Sequence, residues 1–132
     1  MPNSSTDTAA PLRVLVVDDS RRLRETICAA LEKAGLMVVG EAADGAEALA
    51  EAAAQRPDVV LMDLAMPGMD GIQATRILRR QQPHTPVVLW SGQDDAHLAA
   101  AIRSSGASAG LAKGVCTVDL VAALRAACHG RV

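Results

Sequence analysis

Asp18, Asp19, Asp63, Ser91 and Lys113 are the side chains whose types and placement could do chemistry together. Clustered carboxylates repel one another unless a cation joins them. Mg²⁺ suits such a set, because it binds one or two carboxylates together with waters and phosphoryl oxygens. Mn²⁺ takes the same kind of oxygen ligand. No His or Cys stands at a matching position, which weighs against zinc or copper. Lys113 is a point-charge donor for a phosphoryl oxygen, and Ser91 can donate one hydrogen bond to another. A carboxylate can serve as nucleophile in phosphoryl transfer, where positioning and charge stabilisation supply most of the catalysis.

Four apolar runs must deliver these groups. Val14–Val17 ends at Asp18-Asp19, Val59–Met62 at Asp63, Val87–Trp90 at Ser91, and the weaker Gly110-Leu111-Ala112 at Lys113. In a parallel sheet all of these C-terminal ends lie on one edge, where open α/β sheets bind their ligands. Strands are predicted over Arg13–Val17, Met37–Gly40 (extending toward Ala42), Val59–Asp63, Val87–Trp90 and Gly110–Ala112.

Between them the helical spacing predicts Arg21–Ala34, capped by Ser20 and stopped by Gly35. Its buried stripe would be Leu23, Ile27, Ala30, Leu31 and Ala34. A turn at Asp44-Gly45 leads into a helix to about Gln55. Further helices are predicted over Ile72–Arg80, Asp95–Ser104 and Val118–Cys128, the last capped by Thr117. The apolar runs at 59–62 and 87–90 do not alternate, as expected of strands covered on both faces. The expected fold is a doubly wound α/β sandwich of (βα)5 units with sheet order 2-1-3-4-5, which puts the pocket at the switch point between strands one and three.

The 132 residues suit one domain, half of them are apolar, and the core must be aliphatic because Phe and Tyr are absent and Trp90 is the sole aromatic. A net charge of −2 gives no reason to expect nucleic-acid binding by this chain itself. Cys28, Cys116 and Cys128 are odd in number and lack metal-ligand spacing, so they read as free thiols in a reducing, cytoplasmic setting. No apolar stretch approaches the ~20 residues that span a bilayer. Residues 1–11 read as a disordered leader, 12–128 as the folded domain and 129–132 as a tail or the start of a linker.

Together, Val16-Val17-Asp18-Asp19, Asp63-Leu64-Ala65-Met66-Pro67-Gly68-Met69-Asp70-Gly71, Ser91-Gly92 and Ala109-Gly110-Leu111-Ala112-Lys113 resemble the receiver domain of bacterial two-component response regulators. The resemblance covers roughly residues 12–128 and implies a flavodoxin-like parallel five-stranded fold. It implies that Asp63 is the phosphoacceptor, that Asp18, Asp19, Asp63 and the Ala65 backbone carbonyl hold Mg²⁺, and that Ser91 and Lys113 attend the phosphoryl group. The implied donor is a phosphohistidine on a sensor histidine kinase. Such a domain takes part in its own phosphorylation and is not a turnover enzyme. The segment after position 124, and the absence of proline after Lys113, look like regulators that continue into a C-terminal helix-turn-helix DNA-binding domain. A stand-alone regulator remains the alternative, and a phosphorylation-dependent homodimer is compatible with both.

The sequence departs from the usual receiver at Gly110, where many carry the aromatic half of the switch, and at Gly114, where many carry proline. Without proline a cis bond would cost roughly 2.5–4 kcal/mol, so a trans peptide is expected. The change on phosphorylation is then expected to centre on the loop Ser91–Asp95 and the following helix. Two other readings compete. An aspartyl-phosphate hydrolase would carry a second Asp two residues after the nucleophile, where this chain has Ala65. A phosphorylation-independent receiver-like interaction module is the other. Asp70 reads as a turn or cap residue, Met62, Met66 and Met69 as packing, and His84, His97 and His129 as incidental. The Arg21, Arg22 and Arg24 cluster reads as a solvated face or a kinase-docking edge.

Overall fold

In the computed structural model, which describes residues 10–92 and 95–129, strand and helix alternate throughout. The order is β1 (Arg13–Val17), α1 (Arg21–Lys33), β2 (Met37–Ala42), α2 (Gly45–Gln55), β3 (Val59–Asp63), α3 (Gly71–Gln81), β4 (Val87–Ser91), α4 (Asp95–Ser105), β5 (Ala109–Ala112) and α5 (Thr117–His129). All strand pairs are parallel and the sheet order is β2-β1-β3-β4-β5, as the sequence predicts. Most of the leader assigned to 1–11, positions 130–132 of the tail, and positions 93 and 94 of the loop after Ser91 lie outside the described residues.

The apolar runs are continuous because both faces of the sheet are covered. Successive strand residues point to opposite faces. Val14 and Val16 pack with Leu31 of α1 and Leu124 of α5. Leu15 and Val17 pack on the other face with Ala48 and Ala52 of α2 and Leu78 of α3. All of these are fully buried, and burial of each aliphatic side chain larger than alanine stabilises the fold by about 1.5–3 kcal/mol. The alanines let α2 and α3 lie close to the sheet.

Three helix starts are held by side-chain caps. Ser20 Oγ accepts from the Leu23 N–H at 3.2 Å. Asp44 Oδ1 accepts from Glu47 N–H at 2.8 Å, while the Glu47 carboxylate accepts from Ala43 N–H. Asp70 Oδ1 accepts from Gln73 N–H at 2.9 Å, which confirms its cap role. Each such cap stabilises its helix by about 1 kcal/mol.

The structure corrects three local expectations. Asp44-Gly45 is not a free turn, since Asp44 is the cap and Gly45 the first residue of α2. Thr117 lies inside the first turn of α5, whose opening bond runs from Leu120 N–H to the Cys116 carbonyl. On α1, Ala34 is the exposed C-cap past the last helical residue, and Cys28 is buried instead, on the same face as Leu31 three residues on.

Candidate functional site

Three of the four strand ladders run one residue past their strands into the site. Asp18 N–H donates to the Ala42 carbonyl at 3.0 Å, Leu64 N–H to Trp90 at 2.9 Å, and Lys113 N–H to Ser91 at 2.7 Å. The backbones that carry Asp18, Asp63 and Lys113 are therefore held by the sheet itself. The loop after Asp63 is pinned in turn. Gly71 N–H donates to the Leu64 carbonyl at 3.0 Å. A Cβ on Gly71 would overlap the Asp63 carbonyl oxygen and lie 2.9 Å from Leu64 Cα. Only glycine lets α3 begin so close to the end of β3.

β1 and β3 are neighbours, so Asp18 and Asp63 meet. Asp18 is 0% and Asp63 1% exposed, whereas Asp19 is exposed. Oxygens of Asp18, Asp19 and Asp63 all lie within 4.8 Å of one another. Lys113 Nζ stands 2.9 Å from Asp18 Oδ2 and 3.1 Å from Asp63 Oδ1. Asp18 Oδ1 accepts from Ser20 N–H at 2.8 Å, and Asp63 Oδ1 from Ala65 N–H at 3.3 Å.

Burial pushes the Asp63 carboxyl up to about 6; Lys113 and the Ala65 N–H oppose the rise and the Asp18 charge adds to it. Burial alone would lower the Lys113 ammonium, but the hydrogen bonds and charge of Asp18 and Asp63 outweigh it and hold Lys113 above its ordinary range. Asp63 Oδ2 is buried with no hydrogen-bond partner among the described residues. An all-oxygen cluster with one carboxylate oxygen unsatisfied is the donor set a hard divalent cation takes, so these residues fit Mg²⁺.

Ser91 is buried at the top of β4, in register with Ala112 and one step past Trp90, which pairs with Asp63. Ala65 is exposed and lines an open cleft of about 500 Å³ with Asp19, Met66, Pro67, Asp70 and His97. The cleft opens Asp19, the exposed carboxylate of the cluster, to solvent.

Several neighbours of the site escaped the sequence reading. Arg24, taken as part of a solvated face, is 15% exposed. It donates to the Asp18 carbonyl at 2.7 Å and pairs with Glu41 at 3.2 Å, and only its place one turn into α1 hinted at this. His97, read as incidental, lines the cleft. Trp90 lies under Lys113, with Nζ 5.2 Å from the ring centroid.

At Gly110 a Cβ would come within 2.8 Å of Ile102 and 2.9 Å of Leu98. Side chains of α4 thus close the space that an aromatic at 110 would need. Gly114 has φ +103°, which proline cannot adopt, and no peptide among the described residues is cis. The thiols stand apart from this chemistry. Cys28 is buried, and burial with the nearby Glu41 charge pushes it up to about 11.

Residues 14–125 match the response regulator receiver domain family. The transcriptional regulatory protein PdtaR of Mycobacterium tuberculosis is 35% identical over 126 residues, covering 96% of this chain and 61% of that protein. The response regulator GacA of Pseudomonas viridiflava is 40% identical over 115 residues, covering 86% of this chain and 54% of that protein. The chain therefore spans little more than half the length of these curated relatives. The signal receiver domain of the response regulator NarL from M. tuberculosis superposes with a TM-score of 0.84 at 38% identity, covering 91% of this chain and 98% of that one. Among the described residues no helix is long and apolar enough to cross a membrane.

Proposed function

This chain belongs to the response regulator receiver domain family, and from that premise we propose that Asp63 accepts a phosphoryl group from a phosphohistidine on a sensor histidine kinase. The observation that supports this reading is the Lys113 ammonium bridging Asp18 and Asp63 at 2.9 and 3.1 Å while Asp63 Oδ2 stays buried and without a hydrogen-bond partner among the described residues. A carboxylate pushed up to about 6 is still mainly ionised at neutral pH. It therefore keeps its nucleophilic lone pair.

An Asp63 oxygen forms the new O–P bond as the N–P bond of the phosphohistidine breaks. The electron pair returns to the imidazole nitrogen, which takes up a proton. Lys113 neutralises charge on the transferring group, and Ser91 donates a hydrogen bond to one of its oxygens. Asp18, Asp19, Asp63 and the Ala65 carbonyl would hold Mg²⁺, which supplies charge neutralisation at the phosphoryl oxygens.

The phosphoryl group adds roughly −1.5 to −2 charge at the end of β3. That charge would bias the Ser91 loop and α4, and through them an output that in a longer chain would be a helix-turn-helix domain controlling transcription. In this reading the chain is a cytoplasmic phosphorylation switch that relays a group and does not turn over substrate.

Intact-mass spectrometry after incubation with acetyl phosphate tests it, with and without Mg²⁺ and beside Asp63→Asn. One Mg²⁺-dependent adduct, absent from the variant, is expected. No adduct on the folded, Mg²⁺-supplied protein overturns the proposal and favours a phosphorylation-independent interaction module.

A further inference from the structure

β5 and β3 are separated by two strand spacings, about 10 Å, with β4 between them. Lys113 leaves the end of β5, yet its ammonium reaches Asp63 at the end of β3 and Asp18 beyond it. The side chain therefore has to cross β4. Trp90 is the register partner of both Asp63 on β3 and Leu111 on β5. Lys113 lies two residues past Leu111, so it emerges on the face that carries the indole.

Trp90 is 2% exposed and belongs to the same buried cluster as Leu61, Val88 and Leu120. Its Nε1 has no hydrogen-bond partner among the described residues. A buried donor left unpaired is a cost that a leucine or phenylalanine would not carry, and no polar contact of the N–H accounts for an indole here. The ring face does have a partner, because Lys113 Nζ lies 5.2 Å from the centroid. Of the aromatic faces, indole attracts an ammonium most strongly.

We propose that Trp90 is a positioning residue for Lys113, its ring face forming the floor that carries the ammonium across β4 to the Asp18–Asp63 pair. The inference rests on the phosphoacceptor reading and deepens it by assigning what aims the lysine at an incoming phosphoryl group. Trp90 itself touches no reacting atom.

The experiment compares the full chain with Trp90→Phe and Trp90→Leu. Acetyl phosphate dependence is followed by intact mass, and Mg²⁺ affinity by calorimetry. Trp90→Leu should slow phosphorylation at low phosphodonor about threefold to tenfold, Trp90→Phe should restore most of that loss, and Mg²⁺ affinity should hold or rise in Trp90→Leu as the displaced ammonium leaves Asp18 and Asp63. Equal losses in the two variants, or a loss that tracks their melting temperatures, would mean simple packing and overturn the inference.

A second arm needs neither phosphorylation nor a Trp90 variant. Trp90 is the sole aromatic, so its ultraviolet emission in the native chain reports on what lies over the ring. Lys113→Met should shift that emission, and an unchanged spectrum overturns the inference. If the native chain forms no adduct while its emission does respond to Lys113→Met, the phosphoacceptor reading fails and the lysine–indole contact stands.

Discussion

Lys113 Nζ stands 2.9 Å from Asp18 Oδ2, and the two sides of this ion pair differ sharply in solvent access: the carboxylate side chain is 0% exposed and the lysine side chain 27%. Asp18 is anchored by the sheet and by Ser20 N–H, so it cannot turn outward to water. The lysine is the partner that solvent reaches, and its ammonium compensates two buried acids at once.

Removing that charge with Lys113→Met should therefore destabilise the metal-free protein by about 1–3 kcal/mol, a figure discounted for the partial exposure of the lysine. Added Mg²⁺ should stabilise the variant more than the native chain, because a ligand that binds only the folded state stabilises it by mass action. Urea unfolding with Mg²⁺ and with chelator measures both. A variant as stable as the native chain in chelator would show that the pair contributes nothing.

The raised Asp63 carboxyl predicts how stability varies with pH. Its folded value of about 6 exceeds the unfolded 3.8, so the folded state holds this proton more tightly. The associated stability is fully present below about pH 4 and is lost as pH rises through 6, roughly 1–3 kcal/mol in all. In chelator, Asp63→Asn should be more stable than the native chain at pH 8, and the two should converge near pH 4. Parallel melting curves across that range would contradict this origin for the shift. By the same linkage, Mg²⁺ affinity should weaken as pH falls below 6.

Gly71→Ala should disrupt the site without touching any of its polar groups. The new methyl would overlap the Asp63 carbonyl and crowd Leu64 Cα, both of them backbone that cannot swing aside. A loss of about 1–3 kcal/mol is expected from such overpacking, with weaker Mg²⁺ binding by calorimetry. Gly92, with nothing among the described residues within 4 Å of its Cβ position, is the matched control, and Gly92→Ala should change neither quantity appreciably.

At Gly110 the added methyl would meet Leu98 and Ile102 of α4. Gly110→Ala should cost about 1–3 kcal/mol, and Leu98→Ala in the same chain should recover part of it. A double-mutant cycle in urea would then give a favourable coupling of about 0.5 kcal/mol or more. Strict additivity would mean that α4 yields freely and does not rest on the glycine.

The strand ends that carry Asp18, Asp63, Ser91 and Lys113, the parallel order of the sheet and the existence of the cluster were legible in the residues themselves. An apolar run buried on both faces has one way to sit in such a sheet, and its C-terminal end must then lie on the ligand edge. Ser20 and Asp70 were legible as caps for the same local reason: a side-chain oxygen meets an N–H only three residues on.

The tertiary structure alone decided that Lys113 crosses Trp90, that Arg24 turns inward to the Asp18 carbonyl, that His97 faces the cleft, and that Leu98 and Ile102 fill the space at Gly110. Each of these contacts joins segments whose relative depth and register are set by packing across the sheet. No period or spacing along the chain encodes which side chain will lie over which.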